Sequence, residues 1–104
     1  MLLSIDTSNN RRIILKIGEK QVTKTYPSPQ SQDLLALIDS LLSKLHLSLK
    51  DLTAIKVHPG PGAFTSLRVG IAVANALGFA LKIPVNGQPA GSVLPEYGQP
   101  PHIT

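Results

Sequence analysis

Two short stretches carry side chains that could do chemistry, and they lie far apart in the chain. The first is Asp6-Thr7-Ser8, one carboxylate followed by two hydroxyls. At the end of a strand, such an aspartate can hold a metal-bound water while the hydroxyls face a phosphate. The same residue types more often bond their own turn, and that use is preferred here. The second stretch is His58-Pro59-Gly60-Pro61-Gly62-Ala63-Phe64-Thr65-Ser66-Leu67-Arg68. Gly60 and Gly62 ahead of a helix leave backbone donors free to cradle an anion, with Arg68 one turn inside. The lysine and spacing of a P-loop are absent. The structural alternative, also preferred, is that the glycines permit the turn and Thr65 or Ser66 caps the helix. His46, His58 and His102 are too scattered for a ligand motif, and each is expected to face solvent. No nucleophile-base pair or paired carboxylate stands out, so no catalytic residue, metal or cofactor is expected. The chain has no cysteine, which rules out disulfides and thiolate metal sites and permits an intracellular home.

The elements that must position these stretches are legible from periodicity. Leu3 and Ile5 alternate with Leu2 and Ser4 in a strand ending at Asp6, and the polar run from Asp6 to Asn10 reads as a loop. Arg12 to Ile17 alternates again, Gly18-Glu19 suits a tight hairpin turn, and Gln21 to Tyr26 returns. Ser28-Pro29 is a helix start, a hydroxyl cap followed by a proline whose missing donor is not needed. From there Leu34, Leu35, Leu37, Ile38, Leu41, Leu42 and Leu45 recur at helical spacing. Ser48 is a candidate cap for a short helical piece. Ala54 to Val57 is a strand, the proline-glycine turn follows, a helix runs to about Leu81, and a last strand surrounds Pro84-Val85-Asn86. The order β-β-β-α-β-α-β implies an α/β fold with a mixed sheet and right-handed crossovers. Residues 1–87 form the domain, and 88–104 read as an irregular or disordered tail.

The second helix is apolar nearly all round, so more than one side of it needs cover. Gly70, Ala74 and Gly78 stack four apart as a ridge almost without side chains, with Ala72, Ala76 and Ala80 beside it. A neighbouring helix could approach that ridge closely. The expected interface with a second polypeptide combines Leu34, Leu37, Ile38 and Leu41 with Arg68, Gly70, Ala74, Leu77 and Gly78. On this reading a bulky residue at position 74 abolishes assembly. At 104 residues the chain suffices for one domain. No basic leader precedes the first apolar run, and the most apolar segment is shorter than the ~20 residues a bilayer requires. The net charge of +4 owes much to Arg11, Arg12, Lys16, Lys20 and Lys24. These are read as outward residues on edge strands, where lysine discourages unwanted pairing, because no aromatic residues are interleaved for base stacking.

Taken together, Ser4-Ile5-Asp6-Thr7-Ser8 and Gly60-Pro61-Gly62-Ala63-Phe64-Thr65-Ser66-Leu67-Arg68-Val69-Gly70 resemble the TsaB family, also called YeaZ, over about residues 1–87. The resemblance implies an actin-like or RNase H-like fold of which this chain is the N-terminal half. It implies a non-catalytic cytoplasmic subunit without a cofactor. Such a subunit pairs with a TsaD-like catalytic subunit and works with a TsaE-like ATPase to form threonylcarbamoyladenosine at position 37 of tRNA. The tRNA is contacted only indirectly, no membrane is involved, and a homodimer is a further form. It also implies that both helices join those of the partner as a bundle. In actin-like ATPases Asp6-Thr7-Ser8 would stand at the first phosphate loop, which makes a phosphate-binding or nucleotide-binding remnant the alternative. Two departures are visible. Ala63-Phe64-Thr65-Ser66 stands where the family usually has Ser-Phe-Thr-Gly, and Gln30-Ser31-Gln32 fills a region where the family often has histidine.

Overall fold

A computed structural model describes residues 1–26, 33–62, 64–89, 91 and 93–94. Alternation of apolar and polar residues turns one side of each strand inward. The elements are β1 (Leu2–Asn9), β2 (Arg12–Ile17), β3 (Lys20–Thr25), α1 (Leu34–Lys44), β4 (Ala54–Val57) and α2 (Phe64–Leu81). The sheet order is β3-β2-β1-β4. The first three strands form an antiparallel meander, and β4 lies parallel to β1 with Leu3 opposite Ile55 and Ile5 opposite Val57. Gly18 takes φ 60° at the β2–β3 turn, as the hairpin reading requires.

The inward face presents Leu3, Ile5 and Thr7 from β1, Ile13, Leu15 and Ile17 from β2, and Ile55 and Val57 from β4, all buried. Leu34, Ile38, Leu41 and Leu42 of α1, with Ile71 and Ala74 of α2, close over it. Full burial of such an aliphatic side chain contributes about 1.5–3 kcal/mol. Both helices therefore sit on one side of the sheet. Among the described residues, no strand or helix covers the other side, which carries Ser4, Asp6, Ile14, Lys16 and Lys56.

Three boundaries differ from the sequence reading by more than one residue. First, β1 does not end at Asp6. It continues to Asn9 through an irregularity, the register passing from Asp6 opposite Ile14 to Asn9 opposite Arg12. Within this bulge the Asp6 side chain takes up the Ser8 N–H, so a polar run that reads as loop stays extended. Second, Ser28-Pro29 lies outside the described residues, and α1 is capped at Asp33, whose carboxylate accepts from the Ala36 N–H at 3.3 Å. Third, the last strand is reduced to a bridge of Val85 to Ile55, parallel, and to Gln88. The neighbouring Asn86 replaces a longer ladder with its side chain. Its Oδ1 accepts from the Val57 N–H at 2.7 Å, and its Nδ2 donates to the Val57 carbonyl at 2.9 Å.

The expected short helical piece is a 3-10 turn at Leu49–Asp51, after Ser48. In the stretch assigned to the tail, Val93 is buried in the core. Asn75 of α2 reaches it there, donating to the Val93 carbonyl and accepting from the Gly91 N–H, each at 3.1 Å. Residues 95–104 of that stretch lie outside the described part.

Candidate functional site

The sheet brings the two candidate stretches together, because β1 and β4 run parallel and both end at the same edge as α2 begins. Thr7 points inward beneath the first turns of α2, and its hydroxyl donates to the Ser66 carbonyl at 2.7 Å. Gly70, one turn further along, is glycine for a steric reason. A Cβ there would collide with the Thr7 hydroxyl and stand 3.1 Å from Thr7 Cβ. Gly62 is seated in the same way: a Cβ would stand 2.6 Å from the Ser8 carbonyl oxygen and 2.8 Å from Ser8 Cβ. The glycines of the second stretch thus accommodate the backbone and side chains of the first.

The polar groups at this junction serve one another. Asp6 Oδ1 accepts from the Ser8 N–H at 2.9 Å and from the Ser8 hydroxyl at 2.6 Å. His58 is exposed, as expected, and its Nδ1 accepts from the Gly60 N–H at 3.1 Å. Gly60 adopts φ 115° before a cis bond to Pro61. Burial by itself would raise the Asp6 carboxyl. The two bonds from Ser8, with His58 and Arg12 nearby, outweigh it and hold the group below its ordinary value of 3.8. Asp6, Thr7 and Ser8 therefore form an internally bonded joint against which Gly62 packs, and Gly60 bonds to His58 beside it. His46 is exposed and His102 lies outside the described residues.

The helix residues expected at a partner interface need correction. Leu34, Ile38, Leu41 and Ala74 are at most 3% exposed, and Gly70 and Gly78 are buried as well. They face this chain's own sheet and helices. The physical reason at Gly70 is plain, since Thr7 fills the groove that the missing side chain leaves. Leu37 and Leu77 are half-buried against the core, and Arg68 alone of the nine is exposed. The outward side of α2 is instead Val69, Ala72, Ala76, Phe79 and Ala80, with Phe79 79% exposed and Val69 40%. On α1, Leu35 is 56% exposed. The four-residue spacing of Ala72, Ala76 and Ala80 carries this stripe in the sequence, but spacing alone does not say which of two adjacent small-residue ridges turns outward. Asn75 and Asn86, which pin the end of the described chain to α2 and β4, have no periodic signal at all.

The family model described as TsaD, tRNA N6-adenosine threonylcarbamoyltransferase, matches residues 28–88. The tRNA threonylcarbamoyladenosine biosynthesis protein TsaB of Buchnera aphidicola is 30% identical over 97 residues, covering 90% of this chain and 46% of that protein. A tRNA N6-adenosine threonylcarbamoyltransferase of Nitrosospira multiformis is 52% identical over 54 residues, which are 52% of this chain and 16% of the other. YeaZ from Pseudomonas aeruginosa superposes with a TM-score of 0.66 at 35% identity over 81% of this chain and 42% of that one. The chain spans less than half the length of the curated TsaB relative it matches. Its mixed sheet with helices on one side is part of an actin-like fold. The chain belongs to the family that the TsaD model describes, and within it is a partial TsaB (YeaZ) chain.

Proposed function

We propose that this chain acts in the biosynthesis of threonylcarbamoyladenosine at position 37 of tRNA, as a non-catalytic subunit that docks on a TsaD-like catalytic subunit. The observation that carries this reading is the outward stripe of α2. Val69, Ala72, Ala76, Phe79 and Ala80 form an apolar helix face that nothing in the described part of the chain shields. Small residues four apart let a second helix approach closely, and an exposed phenylalanine at one end supplies a large apolar anchor. Leu35 is a further exposed apolar side chain, on α1. A TsaE-like ATPase belongs to the same assembly, and two copies of the chain pairing through the stripe is a second use of one surface. The transferase name among the relatives does not favour catalysis here, since the matched segment is a small part of that enzyme.

The alternative, a phosphate-binding or nucleotide-binding remnant, is disfavoured by the closed joint. Asp6 Oδ1 already accepts two hydrogen bonds, and Ser8 sits against Gly62. The test is co-purification of the chain with a TsaD-like subunit, comparing wild type with Ala76→Trp. We expect the wild type to be retained and the variant to be lost while remaining folded by circular dichroism. Retention of both overturns the helix-stripe reading. Calorimetry with ATP and magnesium separates the alternative, since the docking reading expects no heat from the chain alone.

A further inference from the structure

Among the described residues, no strand or helix covers the side of the sheet opposite the helices, and that side carries a cationic row that the function proposed above does not use. Cross-strand register places Lys16 beside Ser4 and Ser4 beside Lys56, so two lysines from distant parts of the chain flank one serine. Two strand spacings separate their backbones, roughly 10 Å. Arg12, two residues from Ile14 on β2, turns to the same side. Lys16, Lys56 and Arg12 are all exposed. They stand on or beside a shallow depression of about 660 Å³ whose lining includes Ser4, Asp6, Gln21 and Asn86.

Edge protection does not explain these charges. Lysine on an edge strand discourages strand addition, but β2 lies between β3 and β1 in the sheet. Lys56 projects from the face of β4 and not from its edge, where Val85 bridges. Among the described residues of this face the one acidic side chain is Asp6, whose carboxylate stays ionised with Ser8 bonded to it, and the three cations outnumber it. What remains is a positive surface with hydrogen-bonding neighbours. No Phe, Tyr or Trp lies in the strand positions of this face, so its lysines and hydrogen-bonding neighbours fit phosphates better than stacked bases.

We propose that this face binds an RNA backbone through Lys16, Lys56 and Arg12, so that the chain contacts a tRNA directly. The inference deepens the tRNA-modification reading and rests on it for the identity of the RNA. Contacts of this kind are sequence-independent and weaken steeply with salt.

The experiment is fluorescence anisotropy of labelled bulk tRNA titrated with the 104-residue chain across a salt series. Four proteins are compared. They are the wild type, the double variant Lys16→Gln with Lys56→Gln, the charge-matched control Lys44→Gln with Lys82→Gln on the helical side, and Ala76→Trp. The lysines are exposed, and circular dichroism checks that each variant folds. We expect the first double variant to bind on the order of tenfold more weakly, with the salt slope reduced by about 1 for each lysine removed. The control and Ala76→Trp should bind as wild type does. Equal weakening of both double variants would show net charge alone and overturn the proposal, as would absence of wild-type binding. Displacement of the RNA by poly-glutamate at equal charge concentration would mark the face as a dock for an acidic protein, and that too overturns it. Co-purification with the TsaD-like subunit keeps the two readings apart. Loss of RNA binding with that association intact supports a separate RNA face. RNA binding through this face by a chain that fails to associate leaves this inference standing and removes the other.

Discussion

Helix α2 carries two ridges of small residues, and they have opposite fates. Gly70, Ala74 and Gly78 are buried, whereas Ala72, Ala76 and Ala80, two residues along, are exposed. In composition the two are nearly alike. What separates them is the neighbour each one meets: Thr7 rises from β1 into the space above Gly70, and the apolar side of the sheet closes over Ala74. The absence of a side chain on a helix is thus a demand for close approach that the chain's own sheet can satisfy. It marks a site for another molecule only where that sheet is not in reach.

The largest expected effects come from filling the inner ridge. Gly70→Val drives a branched side chain into Thr7, and Ala74→Trp forces a large ring into a fully buried position. Each should destabilise the chain by about 3 kcal/mol or more, a large fraction of what a domain of this size possesses. Chemical denaturation checks this directly. The same tryptophan at Ala72 or Ala76 should change the denaturation midpoint little, within about 0.5 kcal/mol, while removing association with a TsaD-like subunit. A stable Gly70→Val protein, or an unstable Ala76→Trp protein, would reverse the assignment of the two ridges.

The same contrast explains what could be read without coordinates. Periods of two and 3.6 locate β2, β4, α1 and α2 because each buries one side against a single core, and α2 ends at Leu81 as its apolar pattern does. The pattern does not say which neighbour a side meets, so it does not reveal that Gly70 and Ala74 turn inward while Ala72 and Ala76 turn outward. The continuation of β1 beyond Asp6 is hidden for another reason. Asp, Thr, Ser and Asn signal a turn when their side chains bond locally, and here the local bond from Ser8 to Asp6 forms inside a strand with a bulge. The meeting of the two candidate stretches was not legible either, since it depends on the parallel pairing of β1 with β4 across some fifty residues of chain.

A second set of changes tests how the buried side of α2 is anchored. Thr7→Val keeps the shape that fills Gly70 but removes the donor to the Ser66 carbonyl, a bond of 2.7 Å between buried groups. Its loss should lower stability by about 1–3 kcal/mol. Asn86→Ala removes both bonds to Val57, whose N–H is left without that acceptor, and a loss in the same range is expected. Neither change reaches the outer stripe. Both should therefore lower the midpoint of denaturation while leaving co-purification with a TsaD-like subunit unchanged below that midpoint.

The smallest effect, and the one that reports most directly on the bulge beneath α2, concerns pH. Asp6 fixes the turn of Ser8 that lets Thr7 face inward, and its carboxyl lies below its ordinary value of 3.8 in the folded chain. The unfolded chain therefore binds the proton more readily than the folded one. The stabilisation from Asp6 is fully present above the unfolded value and is lost as pH falls through the lower, folded value. Asp6→Asn keeps an acceptor for the Ser8 N–H but cannot titrate. Midpoints of denaturation measured between neutral pH and pH 3 should fall less steeply for the variant than for the wild type, with the two curves diverging only below about pH 5. Parallel curves over that window would mean that Asp6 does not hold the bulge electrostatically, and that the inner ridge of α2 is kept in place by the packing of Thr7 and Gly70 alone.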